Sequence, residues 1–313
     1  MIDVVIVNWN AGPLLRTCLA SLERNHGGAI NKVLVVDNAS DDDSLLDALE
    51  VRSHSFEFQA IRNAANAGFA AACNQGARAC RSEFILFLNP DCEIYPSTID
   101  DMRAEMRALP PAEYGVFGIR LFGTDGAIAQ GCCRQPSAAR CWVKLLGMDR
   151  ITGGRIRSYV MTEWPHTESR DVEHVIGAFY LVRRSVFEAL GGFDERFFVY
   201  LEDLDLSRRI LDAGYRIRYL AGASALHVGG GTSEKVKATR LFYSLRSRIL
   251  FAFKHFSAAG AWVLLVGTVL LEPLIRLAYN VACADLRAAG ETLKGYQSLW
   301  RDLPRLLGSR RLA

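Results

Sequence analysis

The 313-residue sequence lacks several features that would assign it to a class at once. Its eight cysteines include no C-x-x-C pair, which argues against a zinc site and favours small buried thiols in a reducing cytosol. No basic, cleavable leader precedes the first apolar strand, so export is not expected. The longest apolar run, Ala258 to Leu271, stops at Glu272 and falls short of the roughly 20 residues that a membrane-spanning helix needs.

Composition and charge describe a folded chain with two unlike parts. Half of the residues are hydrophobic and 23% are charged, so the chain can bury a large core and is not disordered. From Ser233 onward, 13 Lys and Arg stand against 5 Asp and Glu, a balance of +8, whereas the first 232 residues carry 24 against 29, a balance of −5. The net charge of +3 therefore hides an acidic domain, residues 1–232, and a basic extension, residues 233–313.

Strand and helix patterns alternate along the first hundred residues. Apolar runs at 4–7, 32–36, 58–61 and 84–88 predict strands, and helical patterns follow from Pro13, from a cap at Ser40 and over 69–79. This order predicts a parallel, doubly wound sheet, whose ligands bind where the strands end. The polar residues at that edge are Asn8, Asp37, Asn63 and Asp91.

The pattern after Pro110 is mixed. Residues 115–122 and 126–130 resemble a hairpin, and the polar stretch 141–170 has no clear assignment and could be a mobile loop over a pocket. Further strands are predicted at 175–182, 216–219 and 223–227, with helices from Ser185 and over 202–214.

Several polar residues could bind a nucleotide, and each also has an ordinary structural interpretation. Asp37 could accept the imide N–H of a uracil or thymine ring, or it could cap a turn. The segment around Asn66 and Gly68, with Asn74 further along, would let backbone N–H groups approach a phosphate at a helix N-terminus. The absence of G-x-G-x-x-G and G-x-x-x-x-G-K motifs argues against a Rossmann dinucleotide site and a P-loop.

Acidic residues and one histidine could carry chemistry. Asp91, in Asn89-Pro90-Asp91, offers one oxygen ligand for a divalent metal, although such a residue is as often a turn former. Glu202, Asp203 and Asp205 repel one another at a helix N-terminus, which indicates a use for them, the alternative being a solvated acidic turn. His227 precedes Gly229, Gly230 and Gly231 and, taken alone, is more typical of a structural histidine.

These motifs together resemble those of the family 2 inverting glycosyltransferases with the GT-A fold, and most closely the bacterial rhamnosyltransferase branch near the galactofuranosyltransferases. The resemblance covers Asp3 to about His255. It rests on VVDNASDD around Asp37, NAGFAAACNQG from Asn66, NPD at Asn89, GAFYLVRRSVFEALGGFDERFF from Gly177, EDLDLSRR from Glu202 and HVGGGTS from His227.

The resemblance implies a GT-A fold, that is, an α/β protein with a doubly wound, mostly parallel sheet, here followed by C-terminal amphipathic helices. It also implies roles for individual residues. Asp203 would be the general base, with Glu202 and Asp205 placing it. Asp91 and His227 would bind Mg²⁺ or Mn²⁺, although Asn89 stands where the family's D-x-D motif has its first Asp. The nucleotide-sugar site would comprise Asn8, Asp37, Asn66, Gly68, Asn74, Asn89, Gly177 and Ala178, the last two leaving room for the sugar.

The implied function is transfer of a sugar, with L-rhamnose from a dTDP donor favoured, to a lipid-linked or polysaccharide acceptor at the cytoplasmic side of a membrane. The alternatives are a UDP-dependent galactofuranosyl or hexosyl transferase and a non-catalytic nucleotide-sugar-binding module. A nucleotidyltransferase is disfavoured, because Asn8 to Gly12 contains no Gly-rich loop with a lysine.

The basic extension alternates Lys and Arg with Leu, Phe and Tyr at helical spacing. One interpretation is peripheral contact of residues 233–290 with an anionic membrane, where each basic residue contributes about 1 kcal/mol. The other is a helical layer that packs on the domain or on a second copy of the chain. Nucleic-acid binding is not expected, because no reader motif is present.

Overall fold

The computed structural model describes residues 1–25, 28–49, 55–229 and 236–308. The chain divides into two compact units. Unit 1 comprises residues 1–135, 162–195 and 202–232, and unit 2 comprises residues 136–161, 196–201 and 233–313. The domain edge predicted near Thr232, like the glycines Gly230 and Gly231, lies outside the described residues.

Within the described residues, nine strands of unit 1 form one mixed sheet in the order β3-β2-β1-β4-β8-β6-β9-β5, with β7 paired to β9. The first four strands pair in parallel, and β8 runs antiparallel to β4 and β6. This arrangement confirms the predicted α/β class. The strands are β1 (Ile2–Asn8), β2 (Ile30–Asp37), β3 (Glu57–Arg62), β4 (Phe84–Leu88), β5 (Cys92–Ile94), β6 (Tyr114–Phe122), β7 (Arg170–Val172), β8 (Phe179–Arg183) and β9 (Arg216–His227).

Helices flank the sheet in unit 1 and make up most of unit 2. Helix α1 buries Leu15, Cys18, Leu19 and Leu22, the apolar face that its spacing predicts. The helices are α1 (Pro13–Asn25), α2 (Ser44–Leu49), α3 (Phe69–Ala77), α4 (Thr98–Arg107), α5 (Ala138–Leu145), α6 (Met148–Ile151), α7 (Arg184–Ala189), α8 (Glu202–Asp212), α9 (Lys237–His255), α10 (Ala258–Val266), α11 (Glu272–Ala282) and α12 (Leu286–Gly308).

Three predicted boundaries are wrong for identifiable reasons. Helix α2 begins at Ser44 and not at Ser40, because Ala39 has a positive φ of 61° and the Ser40 hydroxyl accepts a hydrogen bond from the Asn10 amide. Strand β8 begins at Phe179 and not at Val175. The two strands predicted over 216–227 are one strand, whose pairing with β6 is irregular.

The stretch 141–170, which the sequence left unassigned, contains most of α5, all of α6 and the first residue of β7. The cysteines are largely the small buried groups that the sequence predicts. All eight are free thiols; Cys133 is partly buried and Cys283 is exposed.

Helix α9 is an interior helix of unit 2. Its Leu245 and Ile249 pack with Tyr296 and Leu299 in a buried cluster. Arg246 is buried and its Nε lies 3.0 Å from Asp302 Oδ2. The buried apolar side chains of α9 therefore pack against protein, as in the second of the two interpretations given for the basic extension. Contact of residues 233–290 with a membrane stays a prediction.

The apolar run does not end where the sequence predicts. Helix α10 continues through a π-helical turn, Gly267–Leu271, into α11, giving a 25-residue helix from Ala258 to Ala282. The most apolar 18-residue window of this helix has a mean hydropathy of 1.9. By length and composition this helix could cross a membrane, although 39% of its most apolar window is buried, and a core helix can pass the same test. Pro273 lacks the N–H that would bond the Val269 carbonyl, and the Trp300 indole donates to that oxygen at 3.2 Å instead.

Candidate active site

Asn8 and Asp37 lie side by side where the paired strands β1 and β2 end. Asn8 Nδ2 donates to Asp37 Oδ1 at 2.7 Å and lies within 3.1 Å of the Ser40 and Ser44 hydroxyls. Asn8 is fully buried, and its side chain holds Asp37 in place. Its contact with the nucleotide stays a prediction.

The Asp37 carboxylate is 1% exposed. Its Oδ2 accepts a long hydrogen bond of 3.3 Å from the Ser40 amide and lies 3.8 Å from Nε of Arg62, whose side chain is 68% exposed. A carboxylate oxygen can accept more than one hydrogen bond. Oδ2, on the side of the exposed Arg62, therefore has capacity left for another donor.

The turn before α3 is built from asparagine amides. Asn38 Nδ2 donates to Asn66 Oδ1 at 2.8 Å, and Asn38 Oδ1 accepts from Asn63 Nδ2 and from the Ala67 amide. Gly68 has φ 91° and ψ 162°, a conformation open essentially to glycine alone, and it precedes the first helical residue. Asn66 and Gly68 thus shape the helix N-terminus, and Asn38, which the sequence reasoning missed, links the turn to β2.

Asn74 joins helix α3 to the turn that contains Phe193. Its Nδ2 donates to the Phe193 carbonyl at 2.8 Å, and its Oδ1 accepts from the Phe193 amide at 2.9 Å. A side chain at Gly192 would come within 2.6 Å of the same oxygen. Both polar atoms of Asn74 are used to join α3 to the Gly-Gly-Phe turn. That Asn74 also binds the nucleotide sugar stays a prediction.

Asp91 and His227 are brought together by strand pairing. Cys92 in β5 is opposite His227 in β9, which leaves Asp91 Oδ1 3.4 Å from His227 Nε2. Their side chains keep 12% and 15% exposure, so further ligands can reach them. With metal–ligand bonds of about 2.1 Å, this separation corresponds to an angle of roughly 100 to 110° at a shared cation. One carboxylate and one imidazole therefore fit a divalent metal.

Cys92 lies within 4.8 Å of this pair but is a poor third ligand. Its Sγ points at the Ala178 carbonyl, 3.3 Å away. Burial, reinforced by the charge of Asp91, raises the pKa of the Cys92 thiol well above its ordinary value. A metal takes the thiolate form, so Cys92 is better described as packing under the site.

The three carboxylates at the start of α8 occupy three different environments. Asp205 is fully buried and accepts a 2.8 Å hydrogen bond from Arg209 Nε. Burial, and then the charges of Asp203 and Asp205, raise the pKa of Glu202 well above its ordinary value, and its buried Oε2 has no hydrogen-bond partner in the described part of the chain. Only Asp203 combines partial exposure, 16%, with hydrogen bonds suited to an ionised carboxylate.

Asp203 is held by backbone amides. Its Oδ2 accepts from the Gly177 amide and its Oδ1 from the Leu204 amide, both at 2.8 Å. A side chain at Gly177 would lie 2.9 Å from Oδ2. Gly177 therefore makes room for the carboxylate of Asp203. Ala178 is 1% exposed and packs in the core. That these two residues leave room for the sugar stays a prediction.

The possible base and the possible metal ligands lie at one edge of the sheet. The Asn89 amide donates to the Ala178 carbonyl at 3.0 Å, next to the residue that binds Asp203. The Val228 amide donates to the Asp91 carbonyl at 3.0 Å. Asp203, Asn89, Asp91 and His227 are thus gathered by consecutive backbone contacts within unit 1.

A buried polar group behind Asp203 was missed by the sequence reasoning. It consists of His174, Ser207 and Tyr180, which come from a loop, from α8 and from β8. His174 Nε2 lies 3.8 Å from Asp203 Oδ2. These residues follow no recognisable spacing, so only the fold reveals that they meet.

Comparisons with known proteins agree with this geometry. Residues 3–130 match the model of glycosyl transferase family 2, and residues 128–286 match that of glycosyl transferase family group 2. The N-acetylglucosaminyl-diphospho-decaprenol L-rhamnosyltransferase of Mycobacterium tuberculosis is 28% identical over 279 residues, which cover 84% of this chain and 86% of that protein.

Two solved structures share the fold. S. aureus TarS 1-349 in complex with UDP-GlcNAc has a TM-score of 0.54 at 15% identity, covering 99% of this chain and 87% of that chain. The mannosyltransferase PcManGT from Pyrobaculum calidifontis, in complex with GDP-Man and Mn²⁺, has a TM-score of 0.55 at 18% identity, covering 98% and 84%. These likenesses confirm the predicted GT-A fold.

Proposed function

The chain belongs to glycosyl transferase family 2 and is a glycosyltransferase, and from that premise we propose that it moves L-rhamnose from a dTDP donor to a lipid-linked or polysaccharide acceptor of the cell envelope. The observation that supports a catalytic role is the single edge on which Asp203 lies with Asp91 and His227. The choice of sugar is supported by the mycobacterial relative, whose name specifies an L-rhamnosyl group and a lipid-linked acceptor.

The chemistry is one displacement at the anomeric carbon. Asp203 takes the proton of an acceptor hydroxyl while that oxygen forms its bond to the carbon. The bond from this carbon to the diphosphate oxygen breaks, and the nucleoside diphosphate leaves with the electron pair. Because the base and the leaving group act on opposite faces, the anomeric configuration inverts and no covalent enzyme intermediate forms.

The donor is held at the other side of the reacting carbon. Asp37 Oδ2 accepts the thymine N–H, and the backbone amides that start α3 after Gly68 face the diphosphate. Asp91 and His227 would hold Mg²⁺ or Mn²⁺, which offsets the charge that grows on the leaving diphosphate. Asn89 in place of a second acid leaves this pair with one negative charge, so we expect it to retain metal better with the donor diphosphate present.

A panel of nucleotide sugars tests the proposal. Each of dTDP-rhamnose, UDP-galactofuranose, UDP-hexoses and GDP-mannose is scored for thermal shift with and without Mn²⁺ or Mg²⁺, and for nucleotide release with a lipid-linked acceptor. We expect the largest metal-dependent shift and turnover with dTDP-rhamnose. Turnover with a UDP-sugar alone would replace the donor assignment. Donor binding without turnover would favour a non-catalytic binding module. A thermal shift that is the same with and without metal would overturn the metal site.

We also propose that unit 2 contacts the cytoplasmic face of an anionic membrane through the helix from Ala258 to Ala282. Its exposed apolar side chains form a surface that no described protein segment covers. The exposed Arg276 interrupts this surface, which favours a helix lying in the membrane interface over a helix that spans the membrane. Exposed Arg287, Lys294 and Arg301 follow in sequence. The apolar residues are Trp262, Val263, Val266, Leu270, Leu274, Tyr279 and Val281.

Vesicle co-sedimentation tests this contact. The variant Leu270→Glu/Leu274→Glu should bind phosphatidylglycerol vesicles at least tenfold more weakly, because two Leu side chains no longer leave water. Leu46→Glu, at an equally exposed leucine in unit 1, is the matched control. Unchanged binding of the double variant, or wild-type binding that does not distinguish phosphatidylglycerol from phosphatidylcholine, would contradict the proposal. A dimer that the double variant dissociates would assign the surface to a second copy.

A further inference from the structure

A continuous line of buried polar groups leads to Asp203. His174 Nδ1 lies 3.0 Å from Ser207 Oγ, which lies 3.0 Å from the Tyr180 hydroxyl. Ser207 and Tyr180 are fully buried and His174 is 6% exposed. The opposite ring nitrogen of His174, Nε2, faces Asp203 Oδ2 at 3.8 Å.

The protons of this line can be accounted for. Burial raises the pKa of Tyr180, so its phenol keeps its proton, and burial lowers the pKa of His174, so its ring is neutral with one N–H. In the described residues, the only hydrogen-bond partner of the Tyr180 hydroxyl is Ser207 Oγ. If Tyr180 donates to Ser207, the Ser207 hydroxyl is free to donate to His174 Nδ1. The single ring proton of His174 then stands on Nε2, toward Asp203.

The opposite direction leaves a buried donor without an acceptor. If His174 Nδ1–H donated to Ser207 and Ser207 to Tyr180, the phenol proton would point at no described acceptor. An unsatisfied buried donor costs about 1 to 3 kcal/mol. Donation from Tyr180 to Ser207 and from Ser207 to His174 Nδ1 is therefore favoured, and it leaves the ring proton of His174 on Nε2. A hydrogen-bond partner on one ring nitrogen fixes the tautomer of a histidine in this way.

We propose that His174, held in one tautomer by Ser207 and Tyr180, is a positioning residue that presents an N–H to the carboxylate of Asp203. The 3.8 Å separation is longer than a hydrogen bond, and such contacts often tighten when substrates bind. The N–H would hold Oδ2 in place and favour the ionised form of the base. This inference rests on the proposed function, because it takes Asp203 as the base.

Other ionisable groups face Asp203 and must stay constant in any test. Glu202 and Asp205 come from the same helix, Cys73 from α3 and Cys133 from the loop before α5. Burial raises the pKa of both cysteines, and Asp205 is paired with Arg209. None of these groups is altered by a substitution at His174, Ser207 or Tyr180.

The test is the pH dependence of kcat and kcat/KM for the full chain with the donor found in the panel. His174→Leu should lower kcat about tenfold to a hundredfold with little change in donor KM, and should move the acidic limb to higher pH, because a carboxylate that loses an N–H donor has a higher pKa. His174→Gln, whose amide can accept from Ser207 and donate to Asp203, should restore most of the activity. Ser207→Ala and Tyr180→Phe should shift the limb in the same direction by less.

Tyr219→Phe is the matched control, since this buried tyrosine donates to the His166 carbonyl away from Asp203. Asp203→Asn runs in the same assay: if it keeps wild-type turnover, the base assignment fails, whatever His174 does. If Asp203→Asn is inactive while His174→Leu and Ser207→Ala keep the wild-type pH profile, the positioning role is overturned. Should His174→Leu fail to fold, the profiles of His174→Gln, Ser207→Ala and Tyr180→Phe decide the question alone.

Discussion

Helices α8 and α9 both carry clustered charges, but the charged side chains of the two clusters differ in their burial and in their ion-pair partners. In α8, Glu202, Asp203 and Asp205 have unequal surroundings, and Asp203 keeps a partly exposed carboxylate that has no Arg or Lys partner among the described residues. In α9, Arg246 and Arg248 both find acidic partners inside unit 2. In the described residues, neither Glu202 nor Asp203 has an Arg or Lys partner, whereas the two arginines of α9 are each paired with an acid. The difference indicates that a partly exposed acid without such a partner is the candidate for chemistry, and that a buried ion pair is typical of packing.

The largest effect on kcat should follow from removing the charge of Asp203. Asp203→Asn should lower kcat by about 10² to 10⁴, the contribution of a general base, while nucleotide-dependent thermal shift stays near wild type. Asp212→Asn, at an exposed acid of the same helix that pairs with Arg208, should leave kcat unchanged. Comparable turnover of Asp203→Asn and Asp212→Asn would mean that the charge cluster of α8 has no more of a catalytic role than that of α9.

A large loss of stability should follow from breaking a paired charge in unit 2. Arg248→Met leaves Glu272, 4% exposed, with Arg276 as its remaining basic partner. We expect the free energy of unfolding to fall by about 3 kcal/mol, at the low end for a broken buried pair, as measured by urea denaturation.

The matching double variant sharpens this expectation. Arg248→Met/Glu272→Leu removes both charges and should recover most of the loss. Arg208→Met, which breaks the exposed pair with Asp212, should cost less than about 1 kcal/mol. If Arg248→Met lowers the free energy of unfolding no more than Arg208→Met does, the buried ion pair of α9 contributes no more to stability than the exposed pair of α8.

The smallest effect is expected at Glu202. Burial raises its pKa above the ordinary value near 4.5, so the folded chain keeps a proton that the unfolded chain releases, and stability falls as pH rises through that range. Glu202→Gln has no proton to release. Its melting temperature should therefore rise relative to wild type between pH 4 and pH 7, with kcat changed by no more than a few fold.

Glu188→Gln is the control for the charge change alone. Glu188 is an exposed partner of Arg184, so its pH-dependent effect should be slight. A melting temperature of Glu202→Gln that stays constant or falls relative to wild type as pH rises would contradict the raised pKa of Glu202. The unequal surroundings of the α8 carboxylates would then need another explanation.

The sequence predicts the elements whose residues carry a local signal. The parallel strands β1 to β4 follow from short apolar runs, and the pairing of Asp91 with His227 agrees with the family motifs. Contacts between distant segments could not be predicted in this way. The local sequence does not indicate that the side-chain amide of Asn74 bonds to Phe193. It does not indicate either that the backbone amide of Gly177 donates to Asp203. The helix through Pro273 was missed because its lost hydrogen bond is replaced by Trp300, 27 residues away in the chain.

The absent side chain at Gly177 has a consequence for redesign of this enzyme. Donor choice is commonly altered by enlarging or filling a pocket at small residues, and Gly177 with Ala178 would be a natural target in a library. Here the space beside Gly177 is already filled by the Asp203 carboxylate, 2.9 Å from where a side chain would begin. A larger residue would displace the Asp203 carboxylate, which is the base in the proposed mechanism, so we expect it to slow transfer from every donor alike. A library aimed at sugar choice should keep both positions fixed and vary side chains that reach the pocket.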